Sequence, residues 1–428
     1  MKLVSLLYIL VAASGLLECI SINQASDPAR FHLYWGERTD VGSPGPRFGH
    51  ALAYDSDRGV TVLFGGYNHH WFDDTWEYDG SSWKRITIDG PGPEARFHHA
   101  MCYDNALHQV ILFGGASEDE MLNDVWDYES TGPQRGRWIY RPEAIPPSAR
   151  KSHTMIFDYF AARAVVAGGM LNSEYAQTSE VWKFDNSTGQ WFLQPTGIGF
   201  SGGQKLGAGL TDHMMLYDSA RHETVVIGGI GPYGTVLVNS DKIWFPGAGK
   251  GPLDCGSGIT QGAIVYDRFH DIYFQFGGKN KYDEFSQGMI WYPSVNGFPC
   301  SYSPSDLDTE YYDYKKPRVI PANRRECAMV YDDKRHVTVL FGGLEDSAYG
   351  DTWELYSHDR QETWADFGYG GREVGTFNLP FNTVAKAIKD VQTGGMLRIK
   401  AGSTPETVQI TKAMIVRADG GSVIIGRR

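Results

Sequence analysis

Between residues 47 and 86 the apolar positions fall in short runs, ALAY at 51–54, VTVLF at 60–64, TWEY at 75–78 and WKRI at 83–86. Runs of four or five residues, rich in β-branched and aromatic side chains and bounded by Gly, Asp and Ser, predict four strands joined by turns. The same grammar then returns five more times. Each copy opens with an aromatic followed by aspartate, at Tyr54, Tyr103, Phe157, Tyr217, Tyr266 and Tyr331. Eleven positions later stands a glycine doublet: Gly65-Gly66, Gly114-Gly115, Gly168-Gly169, Gly228-Gly229, Gly277-Gly278 and Gly342-Gly343. A tryptophan follows each doublet, at Trp76, Trp126, Trp182, Trp244, Trp291 and Trp353.

The fixed spacing from aromatic to doublet predicts a hairpin, in which two strands and a tight turn lock the register. The spacing from doublet to tryptophan runs from 11 to 16, so a loop of free length lies between. The doublets suit positive φ or a close approach of neighbouring backbone. The tryptophans are expected to fill the wedges between adjacent sheets. Copies recur every 49 to 65 residues, the period of propeller blades.

With its LFGG and DTWEYD segments, this pattern resembles the kelch repeat, especially that of the galactose-oxidase central domain, over residues 35–356. The resemblance implies an all-β, six-bladed propeller. Galactose oxidase builds a copper-radical site from a Cys-linked Tyr, a second Tyr and two His. This chain has no matching motif, so catalytic residues, metal and cofactor are all expected to be absent. Trp35 stands 12 residues before Arg47, as Trp138 does before Arg150, and Trp83 stands 13 before Arg96. It therefore occupies the place of a blade's last strand with no blade before it. An N-terminal strand that completes the sixth blade accounts for this orphan and leaves no free edge. The alternative is that Trp364 marks the sixth blade's own last strand.

Domain divisions follow composition. Lys2 ahead of the apolar run 3–13 and small residues at 12–15 reads as an export signal within residues 1–26, too short to span a bilayer. The propeller is assigned to 27–362. Residues 365–428 turn basic and carry helical spacing over 383–391, with Asn382 or Thr383 as N-cap, then strands at 396–399, 408–410, 415–416 and 423–425. This tail resembles the opening of a right-handed parallel β-helix of the pectin-lyase kind, one capping helix and the first coils. Two coils are fewer than a solenoid usually needs, so the module is expected either to dock on the propeller's side or to be completed by a partner chain or a continuation.

The net charge of −12 argues against nucleic acid and anionic membrane. Cys255 and Cys300 flank the fifth repeat and make a candidate disulfide; Cys102 and Cys327 fall within strands and read as buried thiols. Arg47, Arg96, Arg150 and Arg324 stand three places before His50, His99, His153 and Cys327. Residues that repeat by blade belong to the scaffold.

Ligand chemistry is expected where the repeats differ, in the loops after the doublets and in the 293–323 insertion. The candidates are His69, His70, Trp71, Tyr175, Tyr233, Tyr282 and Tyr349. Asp306, Asp308 and Glu310 lack the EF-hand pattern, and the lone GxSxG at 199–203 lies in a Gly-rich connection rather than a strand–turn–helix. The expectation is a secreted or periplasmic binding protein for a carbohydrate or protein partner, with no chemistry of its own. A carbohydrate-active enzyme, a galactose-oxidase-like oxidase and a subunit of a surface assembly are the alternatives.

Overall fold

The structure is a computed structural model. It describes residues 31–425 except 40, 132–134, 143–145, 172–175, 195–208, 231–235, 240–242, 245–258, 280–284, 286–288, 292–319, 360–361, 372, 374 and 377–379. The chain is all-β with one helix among the described residues.

Strand β1 is Phe31–Glu37. The first meander is β2 (Ala51–Asp55), β3 (Val60–Phe64), β4 (Thr75–Tyr78) and β5 (Trp83–Ile86). The second is β6 (Ala100–Asp104), β7 (Gln109–Ala116), β8 (Met121–Glu129) and β9 (Trp138–Tyr140). The third is β10 (Thr154–Asp158), β11 (Arg163–Ala167), β12 (Val181–Asp185) and β13 (Gln190–Leu193). The fourth is β14 (Met214–Asp218), β15 (Glu223–Ile227), β16 (Val236–Asn239) and β17 (Ile243–Trp244). These four are complete antiparallel sheets of consecutive strands.

A three-stranded sheet follows, β18 (Ala263–Asp267), β19 (Ile272–Phe276) and β20 (Met289–Trp291). The next comprises β21 (Ala328–Asp332), β22 (Val337–Phe341) and β23 (Thr352–Asp359), with β1 pairing antiparallel along β23. Trp35 sits opposite Leu355 in that ladder. The first strands of all these sheets, β2, β6, β10, β14, β18 and β21, touch one another in a closed cycle, which gives the propeller arrangement.

The hairpin in each repeat has a local cause. Asp55 accepts from the backbone N–H groups of Asp57 and Arg58 and so caps its turn, and Tyr54 reaches across to donate to Asp332 of the preceding sheet, 2.5 Å away. The aromatic–Asp pair thus ties turn and neighbour together.

The doublets explain themselves in the same way. In each, the second glycine's N–H donates to the next sheet: Gly66 to Arg96 O, Gly115 to Arg150 O, Gly169 to Leu210 O, Gly229 to Ile259 O, Gly278 to Arg324 O and Gly343 to Arg47 O, at 2.8–3.0 Å. A Cβ on Gly65 would stand 2.6 Å from the Arg96 carbonyl, and its φ is +67°. Both expected roles of glycine are met at once.

The core is a set of apolar wedges between neighbouring sheets, such as Phe64, Val110, Leu112 and Trp138 between the first two meanders. Here the expectation for the tryptophans is corrected in part: Trp353 is buried in the wedge with Phe274 and Phe276, as expected, but three others are not. Trp76, Trp126 and Trp182 are only half-buried. The wedges are filled by the last-strand tryptophans: Trp83 packs 5.3 Å from Phe341, Trp138 5.1 Å from Phe64 and Trp191 5.7 Å from Phe113. Trp35 does the same, 5.2 Å from Phe276 and 5.8 Å from Phe274. Each such side chain stabilises its wedge by roughly 2–3 kcal/mol of burial.

Past the propeller, β24 (Glu362–Ala365), β25 (Met396–Thr404) and β26 (Ile415–Ile425) form a parallel sheet. Trp364 belongs to it rather than to the last propeller sheet. Helix α1 (Val384–Asp390) precedes β25, capped by Thr383, which accepts from Lys386 N. Residues 408–410 form no strand, because the chain there crosses over between two parallel strands. Ala365, Phe381, Val384, Ala387, Ile388, Leu397 and Ile399 make a separate small core. Ile415, Val416, Ile424 and Ile425 on β26 are exposed.

Candidate binding site at the axial mouth

Around the end of the axis where the doublet loops lie, the backbone builds one ring inside another. The repeated arginines form the outer one. Arg47 is fully buried and donates to its own sheet's Gly65 carbonyl at 3.0 Å and to Asp74, which also accepts from Trp76 Nε1. Arg96 with Asp124 and Trp126, Arg150 with Glu180 and Trp182, and Arg324 with Asp351 and Trp353 repeat the arrangement. In these four repeats this is the role of the tryptophan after the doublet: its indole N–H holds the acid that holds the arginine. Burial raises the Asp74 carboxyl, but hydrogen bonding and charge from Arg47 outweigh it and hold Asp74 below the usual carboxylate range. Leu210 and Ile259 replace the arginine in two sheets, and in the second of these the buried Gln275 amide donates to the Gly277 carbonyl instead.

The repeated histidines lie against the neighbouring sheet. His50 meets Phe341, His99 meets Phe64 and His153 meets Phe113, with ring centroids 5.1–5.6 Å apart. Burial, and then the nearby Arg47, lower His50 to about 3; His153 falls to about 3 by burial and Arg150, and His213 to about 3 by burial. His99 is likewise driven well below its ordinary value. All four are neutral scaffold groups.

Between each arginine position and each histidine position one residue has left-handed backbone, and these residues form the inner ring. Gly49, His98, Ser152, Asp212, Gln261 and Glu326 have φ of 54–62°. Each N–H donates to the carbonyl of the one before: His98 to Gly49, Ser152 to His98, Asp212 to Ser152, Gln261 to Asp212, Glu326 to Gln261 and Gly49 to Glu326, at 2.7–3.1 Å. The backbone repeats here while the side chains do not.

Those side chains are linked. His98 Nε2 lies 2.8 Å from Glu326 Oε2, and His98 Nδ1 lies 3.2 Å from Ser152 Oγ. Gly49 lets His98 lean across, since a Cβ there would stand 2.7 Å from the imidazole Cδ2. Burial raises the Asp212 carboxyl above its ordinary range, with His98 and Ser152 opposing. Burial likewise raises Glu326, but its bond to His98 more than reverses this and leaves it lowered. Behind the mouth the axis holds a cavity of about 220 Å³, with Leu52, Met101, Met155, Met215, Ile264 and Met329 among its lining.

One sector of the rim is aromatic. Trp71 stands 5.1 Å from Tyr67 and 4.8 Å from Phe97, Phe48 is 5.6 Å from Tyr67, and Phe97 stacks on His98 at 4.1 Å. Lys151 lies over the Phe97 ring.

Of the residues expected to bind ligand, Trp71 is therefore brought to the mouth. His69 and His70 are exposed beside it, His70 packing 4.2 Å from Phe72. Tyr349 does a different job: it lies under the Arg324 guanidinium at 4.3 Å, the place Phe72 takes beneath Arg47 at 3.9 Å. Tyr175, Tyr233 and Tyr282 lie outside the described residues, as do Cys255 and Cys300. Cys102 and Cys327 are buried free thiols. Among the described residues no three His, Cys, Asp or Glu side chains gather as metal ligands.

Residues 32–230 match the model of the KLHDC2/KLHL20/DRC7 Kelch-repeats domain. The propeller is also similar in fold to the solved structure of YjhT, at a TM-score of 0.50 and 14% identity, covering 73% of this chain and 95% of that one. The repeated doublets and the closed cycle of sheets thus make a β-propeller, whose residues 32–230 match a kelch-repeat model.

Proposed function

We propose that this is an exported kelch-propeller binding protein, whose protein or carbohydrate ligand sits on the doublet-loop face and which performs no chemistry of its own. The observation that carries the reading is the inner ring: His98, Ser152, Asp212, Gln261 and Glu326 differ from one another on a backbone that repeats. Side chains free to vary on a fixed scaffold are where a fold carries function. Trp71 and Tyr67 add an amphipathic aromatic surface of the kind enriched at recognition sites.

The finer architecture belongs to the same proposal. The six sheets are read as six blades closed by β1, after a signal at 1–26; the pairing of β1 with β23 and the seat of Trp35 on Phe276 support closure. The parallel sheet with α1 is read as the β-helix-like module, supported by its parallel register and its own core. Export itself rests on the N-terminal apolar run.

The test is a glycan array and a cross-linking capture on secreted protein, each repeated with Trp71→Ala. Ligand retained by the wild type and lost with Trp71→Ala at unchanged melting temperature is expected. Binding indifferent to Trp71 and to the inner-ring residues contradicts the assignment of this face.

A further inference from the structure

We propose that the axial mouth is a subsite for an uncharged, polyhydroxylated ligand, a pyranose, with hydroxyls on the inner ring and its apolar face on the aromatic wall. This deepens the binding reading above and rests on it.

The argument is one of matching donors and acceptors. Glu326, His98 and Ser152 form a fixed chain, so the imidazole has both nitrogens engaged and Ser152 keeps an acceptor lone pair. Asp212 stands next in the ring beside the hydroxyls of Thr211 and Ser152, within the electrostatic reach of His98 and Glu326. Gln261, which carries a carboxamide, follows it in the ring. A carboxylate beside a carboxamide accepts from one hydroxyl and donates to the next, which is what two adjacent ring hydroxyls require.

Other ligand classes fit less well. An anion would face the carboxylates of Asp212 and Glu326. A cation would leave the Gln261 N–H groups without an acceptor, and an apolar group would strip water from Asp212 and Gln261 without replacing it. Across the mouth from these two residues, Phe48, Tyr67, Trp71 and Phe97 present ring edges and faces suited to pyranose C–H groups. The inner-ring backbone holds all of this rigidly, since every member donates one N–H to its neighbour and accepts another.

The experiment is ligand-observed NMR of the full chain with methyl β-D-glucopyranoside, methyl β-D-galactopyranoside and methyl α-D-mannopyranoside, against glucuronate and glucosamine. At least one uncharged glycoside is expected to bind in preference to both charged sugars. Asp212→Asn and Gln261→Ala should each weaken it at least tenfold. Asparagine tolerates the left-handed backbone at 212, so a melting temperature within about 2 °C of wild type marks a folded variant. No uncharged glycoside binding, or tighter binding of a charged sugar, overturns the inference. Binding that depends on Trp71 but not on Asp212 or Gln261 also overturns it while leaving the loop-face reading intact. Dependence on Asp212 and Gln261 but not on Trp71 contradicts the aromatic wall and overturns the inference as stated.

Discussion

His98 and His99 are neighbours in the chain and belong to different regions of the molecule. His99 is buried against Phe64 of the preceding sheet, with neither ring nitrogen hydrogen-bonded, and burial keeps it neutral. His98 faces the axis, joined to Ser152 and Glu326. His99 has equivalents in His50, His153 and His213, whereas the position of His98 is filled by a different residue in every sheet. The contrast separates the shell that makes the propeller from the ring that gives this propeller its character. Shell substitutions should cost stability and spare recognition, and inner-ring substitutions should do the reverse.

The largest effect is expected from opening the cycle. Removing residues before Ser43 takes away β1 and the Trp35 wedge, and a lost core tryptophan alone costs about 3–5 kcal/mol. Chemical denaturation that shifts by less than about 1 kcal/mol would break the closure account. Next in size is Arg96→Ala at a fully buried arginine, which takes its donor from the Gly114 carbonyl and leaves Asp124 with Trp126 Nε1 alone. A loss of about 3 kcal/mol is expected, measured by urea midpoint, since removing one partner of a buried pair strands the other. A near-neutral result would show that the arginine shell is ornamental, as its absence at Leu210 and Ile259 allows.

The histidine shell sharpens the comparison through pH. The folded-state pKa values of His50, His153 and His213 lie near 3, below the unfolded value of 6.5, so the unfolded chain binds more protons as pH falls below about 6.5. Stability is therefore full above that pH and is lost progressively towards pH 3, at up to about 1.4 kcal/mol per pH unit for each group. Melts between pH 7 and pH 5 check this, and a flat profile contradicts it. The smallest effect on stability is expected at Trp71→Ala, whose half-buried ring lies at the rim; its melting temperature should stay within about 2 °C of wild type. A larger fall would make Trp71 a packing residue.

What could be read in the sequence follows the same division. Repetition is visible in one chain, so the doublets, the aromatic–Asp pairs and the orphan Trp35 announced hairpins, glycine approach and the pairing of β1. The role of each tryptophan was not legible, because Trp76 and Trp83 differ only in which partner folding brings: an acid for one, a neighbouring phenylalanine for the other. Trp71 stood out as an aromatic in a variable loop. Tyr349 looked alike, yet packs on Arg324, a buried arginine 25 residues earlier in the chain that no local pattern connects to it. The inner ring carried no signal except the lack of one, a varied residue between two constant ones. Its left-handed backbone is occupied by His, Ser, Asp, Gln and Glu, where sequence alone suggests glycine.

The most direct test sets His98→Ala beside His99→Ala in parallel thermal melts at pH 7. The division into shell and ring predicts that His99→Ala, which empties a packed wedge, lowers the melting temperature by several degrees, while His98→Ala shifts it by no more than about 2 °C. Equal losses, or a larger loss for His98→Ala, would contradict it.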